Sequence, residues 1–319
     1  MTPDTAQVSR IQRRQAAASS ASSVSELLQN IASSRSAESE QERDLSLASL
    51  LPPTDLLGCT EAAKRLATGV EQQQRFLIVG DFDADGATSV SVAVLALRAF
   101  GARNVDFLVP NRFEYGYGLT PEIVEVARGF QPDILITVDN GIASHEGVAR
   151  AKSLGWQVIV TDHHLAADTL PDADVIVNPN QPGCGFKSKA LAGVGVIFYV
   201  MSAVRGELRA RDYFERAQIV EPAMADWLDI VALGTVADVV PLDHNNRILV
   251  EQGLRRMRAG QLRPGIQALL ELTRRDVTGI VAADLAFAVA PRINAAGRLE
   301  DIAIGIRCLL AATSPEAIR

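Results

Sequence analysis

The 319 residues suffice for one large or two ordinary domains with substantial cores. Hydrophobic content of 48% with only 5% aromatics suits an α/β protein built on Val, Ile, Leu and Ala, and no apolar run approaches the length of a membrane span. A formal net charge of −7 argues against a uniformly basic nucleic-acid binder, and three scattered cysteines, Cys59, Cys184 and Cys308, offer neither a disulfide framework nor C-x-x-C zinc spacing, which fits a reducing cytoplasm.

Residues 1–45 read differently from the rest, being rich in Ser, Ala, Arg and Gln. Arg10, Arg13 and Arg14 before a Ser/Ala tract give a slight likeness to a transit peptide, but the apolar core of a secretory signal is missing. A flexible or loosely helical tail is expected there.

From Phe76 strand and helix alternate: "FLIVG" (strand), Ala87 to Phe100 (helix), "VDFLV" (strand), Pro121 to Arg128 (helix). Then come "DILITVD" (strand), Ser144 to Leu154 (helix), and two further strands, "WQVIVTD" and "DVIVNP". Near-continuous apolar strands separated by helix-length segments predict a doubly wound, mainly parallel α/β sheet covered on both faces. Helical segments follow from Ser188, in "KALAGVGVIFYVMSAV" and in "MADWLDIVALGTVADVVPL", which ends on Asp238.

Ligand sites of such sheets lie outside the carboxyl ends of the strands. At those ends stand Asp81, Asp83 and Asp85 after the first strand, Asp139 after "ILITV", and Asp162, His163 and His164 after "VIVT". Three readings compete for "DFDADG". An EF-hand loop needs Glu at its twelfth position, where Val92 stands, and a helix before it, where an apolar strand stands. A haloacid dehalogenase-type phosphatase would use Asp83 as nucleophile and Asp85 as acid, but gives no role to a tandem His pair and lacks the downstream lysine and acidic pair. The third reading is a carboxylate cluster whose mutual repulsion a cation relieves. Oxygen-rich ligation with one or two imidazoles and no thiolate favours Mg²⁺ or Mn²⁺ over zinc. Two such ions sharing a carboxylate suit phosphoryl displacement. His145 and His244 have no acidic cluster in sequence reach and read as structural or surface residues.

Charge is unevenly spread: between Arg247 and Arg298 nine arginines stand against four acids. A basic surface and an acidic metal site can coexist on a nuclease, although "LRRMRAGQLR" is equally a solvated helix face.

Taken in order, "VGDFDADGATS", "ITVDNGI", "VTDHHL", "LAGVGV", "LGTVADVVPL" and "PRINAAGRL" resemble the DHH phosphoesterase superfamily. The likeness is to its RecJ branch of single-strand-specific 5′ to 3′ exonucleases, across roughly Leu51 to Leu310. The resemblance implies that Asp83, Asp85, Asp139, His163 and Asp238 ligate two divalent metals, Mn²⁺ or Mg²⁺, with Asp139 as the bridge and Asp81 supporting the cluster. It implies that His164 contacts the scissile phosphate or its leaving group. Asp162 would orient a histidine or cap the following turn. In "NRFEYGYGL", Gly116 and Gly118 let the backbone bend around a ligand, Arg112 can grip a phosphate, and Tyr117 can stack on a base. In "PRINAAGRL", Arg292, Asn294 and Arg298 recur on a small-residue segment open to a phosphate backbone.

The expectation is therefore a cytoplasmic, monomeric exonuclease of single-stranded DNA in repair and recombination, with single-strand-binding protein and repair helicases as partners. Its catalytic core would span residues 46–300, and residues 301–319 would begin the connection to the family's second domain and oligonucleotide-binding fold, absent from this sequence. Ala290 stands where the resemblance leads one to expect glycine. A phosphodiesterase of short oligonucleotides or dinucleotides is the rival enzyme, and a scaffold that has lost its ligands is the non-enzymatic alternative.

Overall fold

Five short runs become strands, and the three central ones, rich in apolar residues, bury both faces. They are β1 (Phe76–Gly80), β2 (Val105–Leu108), β3 (Ile134–Val138), β4 (Gln157–Thr161) and β5 (Val175–Val177). All neighbours pair in parallel, in the order β2-β1-β3-β4-β5. The period of two sorts the side chains: Phe76, Ile78, Ile134, Ile136 and Ile159 enter one core, while Leu77, Val79, Leu135, Val158 and Val160 enter the other. The chain leaves β1 for β2 on one side and then passes back to β3 on the other, so the strand order reverses between β1 and β3. That reversal opens a crevice at their carboxyl ends.

The computed structural model describes residues 23–34, 41–109, 116–299 and 301–318. They fall into two compact units, Met1–Asp44 and Leu45–Arg319. The first contains helix α1 (Val24–Ser34) and a 3₁₀ turn, Gln41–Arg43; the Arg10, Arg13 and Arg14 tract lies outside the described residues. Everything below concerns the second unit.

Helices α2 (Cys59–Glu71), α3 (Ala84–Ala99), α6 (Gly193–Ala210) and α8 (Leu228–Ala237) share the larger core with one sheet face, and α4 (Pro121–Ala127) and α5 (His145–Ser153) cover the other. Helix α3 is buried on nearly every residue because it lies between the sheet and both α6 and α8. That explains why its sequence is apolar all round rather than striped. Between α6 and α8 sits the short α7 (Tyr213–Arg216). Beyond them run α9 (His244–Arg258), α10 (Pro264–Leu272) and, after a π-helical stretch at Leu285–Val289, α11 (Ala290–Leu299).

Three helix starts differ from expectation; that of α8 falls at Leu228, because Met224–Trp227 form a 3₁₀ turn. Helix α3 begins at Ala84 rather than Ala87, since Asp83 caps it by accepting the Gly86 N–H at 2.9 Å. Helix α6 begins at Gly193, and residues 188–192 form the approach to it. Ala290 is buried at an ordinary helical φ of −55°, so nothing in its backbone calls for glycine. The three cysteines are free, and no helix among the described residues is long and apolar enough to cross a membrane.

Candidate metal centre

The turn from β1 into α3 carries three of the acids. Asp81 accepts its neighbour's N–H, from Phe82, at 2.7 Å. The turn is so tight that a Cβ on Gly86 would lie 2.4 Å from the Asp81 carbonyl oxygen. Asp85 points the other way: its two carboxylate oxygens accept the backbone N–H groups of Gly193 at 2.7 Å and Val194 at 2.9 Å, at the start of α6. A helix N-terminus thus faces a buried carboxylate and offsets part of its charge.

Asp139 leaves β3 at a φ of +62°, a left-handed conformation that an Asp tolerates better than most residues. The next side chain holds it there, because Asn140 Nδ2 donates to the carbonyls of Val79 at 3.2 Å and Val138 at 2.9 Å, tying the ends of β1 and β3 together. Asp238 ends α8 and is followed by Val239 at φ +60°. A β-branched residue in that region stores strain on the order of 1–3 kcal/mol. The strain lies directly beside a site acid.

After β4, Asp162 organises the histidine pair. One of its oxygens accepts the His163 N–H at 2.7 Å, the His164 N–H at 3.1 Å and His164 Nδ1 at 2.7 Å, and the other accepts the Ile142 N–H at 2.9 Å. Two asparagines after β5 complete the support: Asn178 donates to the His164 carbonyl and Asn180 to that of His163. Burial by itself would raise the Asp162 carboxyl, but the bonds from His164 and Ile142 hold it below the usual carboxylate range. The same bond from Asp162 raises His164 above an ordinary histidine. With Nδ1 engaged, His164 Nε2 is left to face the cleft side, 3.5 Å from the Tyr117 hydroxyl.

The acids converge with the histidines. His163 Nε2 lies 3.1 Å from Asp139 Oδ1 and 3.6 Å from Asp238 Oδ2. All three atoms are buried without a hydrogen-bond partner. Three ligand triads overlap, each with donor atoms within 4.8 Å of one another: Asp139–His163–His164, Asp85–His163–Asp238 and Asp81–Asp83–Asp139. Asp139 and His163 each belong to two of them. Buried orphaned donors made of oxygen and imidazole, with no thiolate, fit a hard divalent cation. Burial and the charge of Asp83 raise Asp139 well above its ordinary value. Asp85 is raised by burial and by Asp139, and Asp238 chiefly by burial.

These shifts predict an unusual pH response. Burial, then the Asp83 charge, lifts the Asp81 carboxyl from 3.8 to about 7. A carboxyl whose folded value exceeds its unfolded one binds more protons when folded, so its contribution to stability is greatest at low pH and falls as pH rises toward the folded value. Metal-free protein should therefore melt at progressively lower temperature from about pH 5 to about pH 7.5. With Mn²⁺ at a hundredfold excess over its Kd, about 2.7 kcal/mol of added stability should reverse that trend. Thermal melts with Mn²⁺ and with chelator across this range check it; parallel curves would mean the cluster does not hold the ion.

Of the substrate candidates, Tyr117 is half exposed, with its ring edge-on to Phe82 and His164. Asn294 Oδ1 accepts the Ala84 N–H at 2.7 Å, so this side chain fastens α11 to the first residue of α3. Gly297 lies against the same loop, where a Cβ would meet the Phe82 carbonyl at 2.6 Å. Arg292 is exposed and donates to the Ala288 carbonyl at 2.6 Å. Arg298 lies on α11, whereas Arg112 lies outside the described residues. The Arg-rich stretch is partly neutralised locally, since Arg255 pairs with Glu251, Arg256 with Asp226, and Arg275 with Asp284. Sequence reasoning assigned no role to Asn140, Asn178, Asn180 or Gly193. It also set His145 aside, yet His145 joins His164 in lining a cleft of about 730 Å³.

Comparison with known proteins agrees with this arrangement. The family model "DHH family, N-terminal domain" matches residues 75–235. The chain is 54% identical over 291 residues to the single-stranded-DNA-specific exonuclease RecJ of Salmonella typhimurium, covering 91% of this chain and 50% of that protein. It is 53% identical to the RecJ of Escherichia coli, again over 50% of that protein. The chain thus spans about half the length of these relatives. A crystal structure of exonuclease RecJ bound to manganese superposes with a TM-score of 0.70 at 36% identity, covering 84% of this chain and 64% of that one. RecJ from Thermus thermophilus in complex with Mn²⁺ gives 0.71 at 33% identity, over 90% and 39%.

Proposed function

The chain belongs to the DHH family, and from that premise we propose that it forms the catalytic core of a RecJ-type exonuclease, hydrolysing single-stranded DNA from its 5′ end with two Mn²⁺ or Mg²⁺ ions. The observation that carries this reading is the set of buried, unpartnered atoms Asp139 Oδ1, His163 Nε2 and Asp238 Oδ2, brought together from three separate segments. Asp81, Asp83, Asp85, Asp139, His163 and Asp238 would hold the ions.

When bound, paired divalent ions activate water and stabilise the attacking and leaving oxygens of an in-line displacement. The chain's own residues prepare the rest. Asp85 is fixed by two backbone N–H groups, so its carboxylate has little freedom to turn away. Asp162 fixes the His164 ring through Nδ1, leaving Nε2 to bind a phosphate oxygen or protonate the leaving 3′ oxygen. Tyr117 stands beside that nitrogen as a stacking surface for a base. Arg292 and Arg298 on α11, Asn294 through its remaining amide, and Arg112 supply the path for the strand. A cytoplasmic role in repair and recombination, alongside single-strand-binding protein and repair helicases, belongs to the same reading.

The test is digestion of single-stranded DNA labelled at either end, with Mn²⁺ or Mg²⁺. Label should appear first from the 5′ end, and salt should weaken binding as phosphate contacts release counterions. Release from the 3′ end, or hydrolysis confined to dinucleotides, would replace this reading with that of a different or small-substrate phosphodiesterase.

A further inference from the structure

We infer that residues 188–194 form a strap that spaces the Asp85–His163–Asp238 triad, and that Asn180 and Asn246 are the positioning residues that hold it. The inference rests on the two-ion reading and adds to it the part that sets the distances among three of the candidate ligands. Those ligands arrive on separate elements: Asp85 in the first turn of α3, His163 just past β4, and Asp238 at the end of α8. The strap leads into α6 and is bonded to the segment that carries each of them.

Its last two residues, Gly193 and Val194, give their N–H groups to the Asp85 carboxylate. The Lys189 carbonyl accepts Asn180 Nδ2 at 3.1 Å, and the same nitrogen donates to the His163 carbonyl at 2.6 Å. The Ala190 carbonyl accepts Asn246 Nδ2 at 2.8 Å, and that nitrogen also donates to the Pro241 carbonyl at 3.0 Å, just past Asp238. Ser188 Oγ donates to Asp243 Oδ2 at 2.7 Å, while Asp243 Oδ1 caps α9 by accepting the Asn246 N–H at 2.9 Å. One short segment is thus tied to all three members of the triad.

The chemistry of the two asparagines suits that task. All four of these partners are backbone carbonyls, which only accept, so each Nδ2 must face them and use both its hydrogens there. Each amide joins two backbone segments and adds no charge beside the ligands. Asn246 is fully buried, and its Oδ1 has no partner among the described residues. A buried acceptor left unpaired costs stability, and the fold keeps it where the other end of the amide makes the two joining bonds. The bond to Pro241 also closes the turn containing Val239, whose φ of +60° must be held by its surroundings.

The experiment counts bound Mn²⁺ through the loss of the free ion's electron paramagnetic resonance signal, for wild-type protein, Asn246→Asp and Asn180→Ala. Asn246→Asp keeps the shape but turns a carboxylate oxygen toward two carbonyls. Asn180 is only half-buried, so Asn180→Ala frees the other side of the strap with less demand on folding. Both changes withdraw bonds and place no new atom against Asp139, which leaves the Asp81–Asp83–Asp139 triad its geometry. Wild-type protein should bind two ions. Each variant should bind one of them as tightly as wild type and the other at least about tenfold more weakly. Unchanged binding of both ions would overturn the strap, and so would equal weakening of both, the mark of a general loss of structure. If Asn246→Asp does not fold, Asn180→Ala decides by the same readout. Wild-type protein that binds fewer than two ions would instead remove the two-ion reading, and the strap with it.

Discussion

Asp139→Asn should cut DNA hydrolysis on the order of a thousandfold while making the metal-free protein more stable. The substitution keeps shape and backbone, since Asn is among the few residues at ease at the φ of +62° found here. What it removes is the charge that belongs to two of the three ligand triads. Cation stabilisation of a phosphoryl displacement is worth several kcal/mol, so if Asp139 holds the ions as proposed, its loss should lower kcat/KM on the order of a thousandfold. The same charge is a burden without metal: Asp139 is buried, and its carboxyl is pushed up by that burial and by Asp83. Neutralising it should raise the melting temperature in chelator and nearly erase the rise that Mn²⁺ gives wild-type protein. Loss of activity with lowered metal-free stability would instead indicate that Asp139 serves mainly to hold the fold.

The strands and the acids at their ends were legible because both signals are local. A β-branched run of five residues such as "FLIVG" announces a buried parallel strand, and a carboxylate just beyond it is carried to the sheet edge by geometry alone. What supports those acids was not legible. Asp85 meets the N–H groups of Gly193 and Val194, more than a hundred residues away, and backbone donors leave no mark of residue type. "LAGVGV" was visible as a motif, but its reason, a helix start pressed against Asp139, appears only in three dimensions. His145 was set aside because it has no acidic cluster nearby in sequence; the cleft that it lines is formed by segments following β3 and β4 and by the approach to α4. The Arg-rich segment was left open between a basic surface and a solvated helix face. Arg256 is answered by Asp226, thirty residues earlier, a pairing that a count along the segment cannot show.

Gly193→Ala provides the second large effect, and it sets two forces in direct opposition. Alanine is the better helix former, by roughly 1 kcal/mol in a helix interior. Yet at the start of α6 the added Cβ would lie 2.5 Å from Asp139 Oδ1 and 2.7 Å from Asp139 Cβ. One partner must move. If α6 retreats, Asp85 loses its two N–H donors, each of which contributes about 1.5–3 kcal/mol as a bond to a charged group. If Asp139 turns aside, a carboxylate common to two of the three candidate triads is displaced. Either movement outweighs the propensity gain, so the variant should bind Mn²⁺ at least about tenfold more weakly, as when support around a metal ligand is lost. DNA hydrolysis should fall with it. Gly206, later in the same helix and exposed, has nothing within 4 Å of its would-be Cβ. Gly206→Ala should therefore show the propensity gain alone, as a slightly higher melting temperature with Mn²⁺ affinity and hydrolysis unchanged. Titration of Mn²⁺ against both variants separates the cases: if Gly193→Ala behaves like Gly206→Ala, the Asp139 carboxylate does not occupy the place that makes it the shared ligand.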